Sequence, residues 1–155
     1  MKKILVTFII CFLFQYSYAQ TVKLLTSGKK ISMRGLSVVD DKTIWVSGSG
    51  GTIGLSVDSG NTWKWISVKG YEKTDFRDIE AFDAKTAIII GIDTPAVILK
   101  TTDAGETWKL VFRDNTPGMF LDAMEFWNEQ SGIVIGDPIN GRMFIATGIL
   151  CLQIS

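Results

Sequence analysis

Short β-rich runs of residues, separated by turn-forming Gly, Asp, Asn and Ser, follow one another along most of the chain. They predict strands over 33–39, 43–48, 52–57 and 62–68, then over 76–82, 86–91, 95–101 and 107–112, and finally over 120–127, 132–136 and 142–147. Long helical periodicity is not evident beyond the first twenty residues. The pattern therefore predicts an all-β protein.

The predicted strands recur in groups of four. Residues 56–63 (SVDSGNTW) and 101–108 (TTDAGETW) share the frame (S/T)-x-D-x-G-x-T-W, and their aspartates lie 45 positions apart. Upstream of these two segments, which we call the first and second box, residues match at a constant offset of 43: Arg34, Asp40, Lys42, Thr43 and Gly48 correspond to Arg77, Asp83, Lys85, Thr86 and Gly91. A period of about 40 to 50 residues is typical of a β-propeller or a solenoid, and groups of four short strands favour the propeller.

A third copy of the repeat begins at the expected position, but its match to the first two copies ends before the box. Phe120, Asp122, Phe126 and Gly136 take the places of Phe76, Asp78, Phe82 and Gly91. Where a third box requires Asp, Gly, Thr and Trp, the chain has Gly148, Leu150, Leu152 and Gln153. We therefore expect a partial propeller of about two and a half four-stranded blades over about 29–68, 69–113 and 114–147. We also expect a truncation or frameshift near Thr147, and an off-pattern tail over 148–155.

Both ends of the chain carry further signals. Residues 21–25 (TVKLL) resemble 107–111 (TWKLV), so 20–28 is predicted to be an orphan strand of the kind that closes a propeller ring, with chance similarity as the alternative. Two lysines, an apolar run over 4–14 and Ser17-Tyr18-Ala19 predict a signal peptide over 1–19, cleaved after Ala19. The protein is then periplasmic, cell-surface or secreted, with no stable membrane span after cleavage.

The composition of the chain limits the ligands it can bind and the reactions it can catalyse. The 16 basic and 16 acidic residues give no net charge that would favour nucleic acid. His is absent, which removes the commonest general base and zinc ligand. Cys151 stands alone once Cys11 leaves with the signal peptide, so no disulfide forms within the mature chain. No catalytic residue, cofactor or metal site is predicted.

The boxes themselves are best explained as turns. A carboxylate can accept hydrogen bonds from backbone N–H groups of its own turn, and Gly tolerates positive φ. The residues assigned this structural role are Ser56, Asp58, Gly60, Thr62, Trp63, Thr101, Asp103, Gly105, Thr107 and Trp108. A calcium site is the alternative, but neither box offers several oxygen ligands in one loop.

The boxes, together with the Met33-Arg34 and Phe76-Arg77 openings of successive blades, resemble the BNR/Asp-box superfamily. Within it, the chain is similar to exported propellers of the photosystem II stability/assembly factor type, and more distantly to sialidase and sortilin propellers. The resemblance implies a β-propeller. It implies several functions, because the repeat serves glycosidases, sorting receptors and assembly chaperones.

Arg34 and Arg77 are the candidate binding residues. The resemblance implies a basic arc near the propeller axis that holds an acidic or C-terminal segment of a protein or peptide partner. The alternative is that each arginine pairs with an acid of the neighbouring blade, such as Asp78 or Asp122.

A second hypothesis is that the chain is the N-terminal fragment of a sialidase-type glycoside hydrolase, with carbohydrate as its ligand. Asp78, Glu80, Asp122 and Glu125 recur near the inner strands and could supply paired carboxylates. An arginine triad and a Tyr nucleophile with its Glu cannot be assembled from this chain. The leading hypothesis is therefore a non-catalytic binding module, and the incomplete ring is expected to self-associate.

Overall fold

The structure is a computed structural model that describes residues 21–25, 29–92 and 94–147. The described ranges contain eleven strands: β1 (Met33–Val38), β2 (Ile44–Gly48), β3 (Thr52–Ser56), β4 (Lys64–Ser67), β5 (Asp75–Ala81), β6 (Ala87–Ile92), β7 (Ala96–Thr101), β8 (Lys109–Asp114), β9 (Leu121–Asn128), β10 (Ser131–Ile139) and β11 (Arg142–Thr147). No helix able to cross a membrane is found within these ranges. The predicted signal peptide and the 148–155 tail lie outside the described residues.

The strands form three antiparallel sheets in chain order. Blade 1 is β1-β2-β3-β4, blade 2 is β5-β6-β7-β8, and blade 3 is β9-β10-β11. The predicted all-β class and partial β-propeller are confirmed. The outer strands β4 and β8 begin at Lys64 and Lys109, two residues later than predicted. The Thr-Trp pair before each of them belongs to the turn, where the Thr bonds the box aspartate.

The core lies between the blades, which pack face to face. Buried residues of blades 1 and 2 form one cluster: Trp45, Ile53, Leu55, Val68, Phe76, Ile79, Ala81, Ala87, Ile89, Val97 and Leu99. A second cluster joins blades 2 and 3: Ile88, Ile90, Ala96, Ile98, Met119, Leu121, Met124 and Val134. Strand β6 is buried along its whole length because both faces of blade 2 are covered. Its unbroken AIIIGI run follows from this position.

Each innermost strand carries a β-bulge near its start. In blade 1, Met33 pairs with Gly48 and Gly35 with Ser47, so Arg34 is the extra residue. The same shift leaves Arg77 unpaired in β5 and Asp122 unpaired in β9. The structural counterpart of Arg77 in the third blade is therefore Asp122.

The alignment of Phe120 with Phe76 is one residue out, because ladder pairing places Leu121 opposite Gly136 as Phe76 lies opposite Gly91. The sequence match was misleading because Phe120 and Asp122 have the same residue types and spacing as Phe76 and Asp78. The bulge at Asp122 and the buried side chain of Leu121 define the correct alignment of blade 3 with blade 2.

Candidate functional site

The bulge residues Arg34, Arg77 and Asp122 lie at one end of the innermost strands, and we call this set the inner rim. Met33 pairs with Gly48 at this end of β1, whereas Ile44 pairs with Ser56 at the other end of the same sheet. The first box begins at Ser56. The boxes therefore lie at the opposite end of the blades from the inner rim.

Arg34 forms an ion pair across the junction of blades 1 and 2. Its Nη2 lies 2.9 Å from Asp75 Oδ2, and both side chains are 30% exposed. Asp75 Oδ1 also accepts a hydrogen bond from the backbone N–H of Gly50 at 3.2 Å. The carboxylate is thus held by the β2–β3 turn of blade 1 as well as by the guanidinium.

Arg77 repeats this arrangement at the next junction with a looser contact. Its Nη2 lies 3.5 Å from Asp122 Oδ1, and the two side chains are 38% and 33% exposed. The guanidinium carbon also lies 5.4 Å from the centre of the Phe120 ring, within the range of a cation–π contact. Phe120 directly precedes β9, as Asp75 precedes Phe76, so the two residues occupy corresponding places.

The structure thus places both predicted binding residues on one rim, and it also gives each an acid of the following blade. Asp122 is the predicted partner of Arg77, but the partner of Arg34 is Asp75 rather than Asp78. Sequence reasoning missed Asp75 and Phe120. Both lie just before the hydrophobic residue that opens an inner strand, a position that marks them as candidates but does not choose between Asp75 and Asp78 as the partner of Arg34.

The Asp78 carboxylate accepts hydrogen bonds from backbone N–H groups rather than from an arginine. Its Oδ1 accepts a hydrogen bond from the N–H of Ile79 and its Oδ2 from the N–H of Met124, each at 2.9 Å. The second bond ties blade 2 to the inner strand of blade 3. Burial raises the pKa of the Asp78 carboxyl, although both of these hydrogen bonds oppose the shift.

Glu80 shares one face of β5 with Asp78, and Glu125 of the neighbouring β9 is close enough to repel its charge. Burial, followed by repulsion from Glu125 and Asp78, raises the pKa of Glu80 to about 6. This carboxyl can therefore hold a proton close to neutral pH. Asp122 belongs to the rim, so the four predicted carboxylates do not form a single cluster.

In the first box, one carboxylate organises the turn. Asp58 Oδ1 accepts hydrogen bonds from Thr62 N at 2.8 Å and from Ser56 Oγ at 2.9 Å, while Oδ2 accepts from Thr62 Oγ1 at 2.7 Å. The bond from the Thr62 N–H is the main cause of a lowered Asp58 pKa. Gly60 has φ of 80°, which a Cβ would penalise.

The second box repeats this network. Asp103 accepts hydrogen bonds from Thr107 N at 2.9 Å and from Thr101 Oγ1 at 2.8 Å, and also from the Thr107 hydroxyl. The hydroxyl of Thr107 is the largest of the causes that lower the pKa of Asp103 to about 2. Both box carboxylates are thus occupied by their own turns. Within the described ranges, no group of three or more His, Cys, Asp or Glu side chains could hold a metal ion.

The two box tryptophans differ in their surroundings. Trp63 Nε1 donates to Gly60 O at 3.0 Å, and its ring stacks on Trp65 with centroids 5.5 Å apart. Trp108 packs against the core between blades 1 and 2, and its buried Nε1 has no hydrogen-bond partner among the described residues. Packing on the preceding blade thus replaces the hydrogen bond made by Trp63.

Comparison with known proteins gives structural similarity only. No family model matches the chain, and no curated protein matches it. A solved structure described as YCF48 bound to D1 peptide has a TM-score of 0.57 and 22% sequence identity, and covers 68% of this chain and 34% of that one. YCF48 from Cyanidioschyzon merolae has a TM-score of 0.63 and 18% identity, with coverage of 84% and 41%. This chain therefore spans less than half of the YCF48 chains whose propeller fold it shares.

Proposed function

We propose that this chain is an exported, non-catalytic propeller module that binds a protein or peptide partner at its inner rim, similar to a photosystem II assembly factor. The observation that carries the proposal is the recurrence of a partly exposed guanidinium at the same bulge of two successive blades, Arg34 and Arg77. One of the solved structures of similar fold is YCF48 bound to a peptide, which supports a ligand of this class.

The chemistry of the rim suits a carboxylate. A guanidinium has five N–H donors in a planar fork, and within the described residues each ion pair engages one of its nitrogens. The remaining donors can bind a side-chain or C-terminal carboxylate of a peptide. Asp75 and Asp122 pair with the two arginines, so the charges at and around the inner rim largely cancel and long-range attraction is weak. Binding then depends on short hydrogen bonds and is only moderately sensitive to salt.

Peptide binding tests the rim directly. Fluorescein-labelled peptides with a free C-terminal carboxylate, and amidated copies of the same peptides, are titrated with the full chain and followed by fluorescence anisotropy. Replacing Arg34 and Arg77 together by Ala is expected to weaken binding of the carboxylate peptides at least about tenfold, since charge-assisted hydrogen bonds contribute about 1.5–3 kcal/mol each.

A charge-matched control is available on the outer strands. The double variant Lys64→Ala with Lys109→Ala removes the same charge far from the rim and is expected to leave affinity within about twofold. Equal losses in the two double variants would mean that net charge rather than the inner rim governs binding. Arg77→Lys keeps the charge but loses the planar fork, and it is expected to bind at an intermediate level.

Export is a separate part of the proposal. Mass spectrometry of the N-terminus of protein recovered outside the cytoplasm is expected to give a chain that begins at Gln20. Recovery of an uncleaved chain from the cytoplasm would contradict it.

A glycoside hydrolase fragment is the second candidate, and the raised pKa of Glu80 beside Glu125 is the observation that favours it. A carboxyl that is protonated near neutral pH is suited to act as a general acid. Turnover of a fluorogenic sialoside by the chain, lost in Glu80→Gln, would overturn the non-catalytic proposal.

A further inference from the structure

A groove of about 370 Å³ lies between the outer strand of blade 1 and the second box. One wall is formed by Ile66 and Ser67 of β4 and by Lys69, and the other by residues 105–108 of blade 2. Strand β4 is at the opposite edge of its sheet from β1, so the groove is separate from the inner rim. Its volume is near the lower end of the range of about 300–1,000 Å³ for small-molecule sites.

The groove is bordered by Trp108, whose indole N–H is unpaired. Trp108 Nε1 is buried and has no hydrogen-bond partner in the part of the chain that the structure describes. The equivalent atom of the first box, Trp63 Nε1, donates to Gly60 O at 3.0 Å. A buried indole N–H usually has a partner, and leaving it unpaired is costly. An acceptor that entered from the groove would remove this cost.

The end of the Ile66 side chain lies near this N–H. A Cβ built on Gly105 would be 3.7 Å from Trp108 Nε1 and 2.6 Å from Ile66 Cδ1. Gly105 and Ile66 both line the groove. Because Cδ1 is the terminal methyl group of its side chain, a change of rotamer can open a path from the groove to the N–H.

The polar groups of the groove include both donors and acceptors. The Glu106 carboxylate is held in place by Lys64 Nζ of β4. The Thr107 hydroxyl donates to Asp103, so its lone pairs can accept a further hydrogen bond. Lys69 and Glu106 are the two charged residues that line the groove, and their charges cancel. The lining thus combines an apolar surface with several hydrogen-bonding groups and no net charge.

We propose that this groove binds one ring of a neutral oligosaccharide. The apolar face of the sugar ring packs on Ile66 and Trp108, and its hydroxyl groups bond the Glu106 carboxylate and the Thr107 hydroxyl. One sugar oxygen accepts a hydrogen bond from Trp108 Nε1 after the Ile66 methyl group has moved. A sugar ring matches the lining because it has an apolar face, many donors and acceptors, and no charge.

Isothermal titration calorimetry of the full chain tests the site with three probes, which are maltotetraose, cellotetraose and the tetramer of N-acetylglucosamine. At least one of them is expected to bind with a Kd below about 1 mM. Failure of all three to bind at millimolar concentrations would overturn the proposal.

A tryptophan substitution tests the unpaired N–H. Trp108→Phe keeps an aromatic ring but removes the donor, and it is expected to weaken binding of the oligosaccharide at least about tenfold. The matched control is Trp63→Phe, which removes the equivalent donor of the first box and is expected to leave the affinity within about twofold. Equal losses in the two variants would overturn the proposal. Circular dichroism checks that both variants keep their sheets.

Two further variants test the groove without replacing an aromatic residue. Glu106→Ala removes an exposed side chain and is expected to weaken binding at least about fivefold, because charge-assisted hydrogen bonds to the sugar are lost. Ile66→Val removes the Cδ1 methyl group and is expected to bind at least as tightly as the wild type. Unchanged affinity in Glu106→Ala, or weaker binding in Ile66→Val, would overturn the proposal.

The groove and the inner rim can fail separately. The double variant Arg34→Ala with Arg77→Ala is expected to leave the oligosaccharide affinity within about twofold, and Trp108→Phe is expected to do the same for peptide affinity. If Trp108→Phe instead weakened peptide binding and no oligosaccharide bound, the groove would be a peptide site and the sugar proposal would be overturned.

Discussion

Blades 1 and 2 have the same repeat but different neighbours. Ile79 of blade 2 is 1% exposed against blade 1, whereas Leu36, at the same position of blade 1, is 65% exposed. Phe76 and Met33 differ in the same direction. The repeat therefore sets which side chains are apolar, and the place of the blade in the ring decides whether they are buried.

The two junctions between blades also differ in how the inner strands meet. Gly35 of β1 lets the backbone of β5 approach closely, since a Cβ there would lie 2.8 Å from Ile79 N. At the next junction the corresponding residue is Asp78, whose carboxylate spans to Met124 N. Backbone contact at one junction is thus replaced by a side-chain bridge at the other.

The largest difference in the free energy of unfolding is expected between substitutions at the buried and at the exposed copy of one repeat position. Ile79→Ala is expected to lower the free energy of unfolding by about 2–5 kcal/mol, because it leaves a cavity in the core between blades 1 and 2. Leu36→Ala is expected to lower it by less than about 1 kcal/mol. Urea denaturation checks both, and similar losses would show that the face of blade 1 is already covered.

A smaller effect is expected from closing the space at the first junction. Gly35→Ala is expected to cost about 1–3 kcal/mol, because the added methyl group meets the β5 backbone, which must shift. The control is Ala123→Val, which enlarges the corresponding position of blade 3, and it is expected to change stability by less than about 0.5 kcal/mol. Equal effects of the two substitutions would argue against the close approach of β1 and β5.

Ser37 and Glu80 occupy the same position in successive repeats, but their effects on stability are opposite. Ser37 Oγ accepts a hydrogen bond from Ala81 N at 3.0 Å, whereas the Glu80 carboxylate is destabilised by burial and by Glu125. Glu80→Gln is expected to raise the free energy of unfolding at pH 7 by about 1 kcal/mol, after allowance for the partial exposure of the group.

The pH dependence of stability shows whether the effect of Glu80→Gln arises from the charge of the carboxylate or from packing. The folded-state pKa of about 6 is above the ordinary 4.5, so the native state binds this proton more tightly than the unfolded chain does. The cost of the Glu80 charge is therefore absent below about pH 4.5 and grows as the pH rises to about 6. Wild type and Glu80→Gln should converge in stability at pH 4, and urea denaturation at pH 4 and at pH 7 measures the two differences.

The smallest effect on stability is expected at the inner rim. Arg34→Ala and Arg77→Ala should each lower the free energy of unfolding by less than about 1 kcal/mol, since partly exposed ion pairs contribute little. Arg34→Ala is expected to be the more costly, because its 2.9 Å contact is shorter than the 3.5 Å contact of Arg77. Losses above about 2 kcal/mol would mean that the rim arginines hold the blades together.

The strand order and all three sheets could be predicted because turn residues and β-rich runs are local signals. The positive φ of Gly60 and Gly105 follows from the same turn chemistry. The partner of Arg34 could not be predicted, because Asp75 and Asp78 are both acidic and near the same junction. Only the bulge, a property of ladder pairing between strands, places one on the rim and directs the other to the backbone of blade 3.

The bulge residues of β1, β5 and β9 have a consequence for how such a protein can diversify. Each lacks a cross-strand partner in its own ladder, so a mutation there leaves the sheet pairing intact. The series Arg, Arg, Asp already shows that both signs of charge are accepted. The charge of the rim can therefore change one blade at a time, and the scaffold can acquire a different rim surface without first losing its fold.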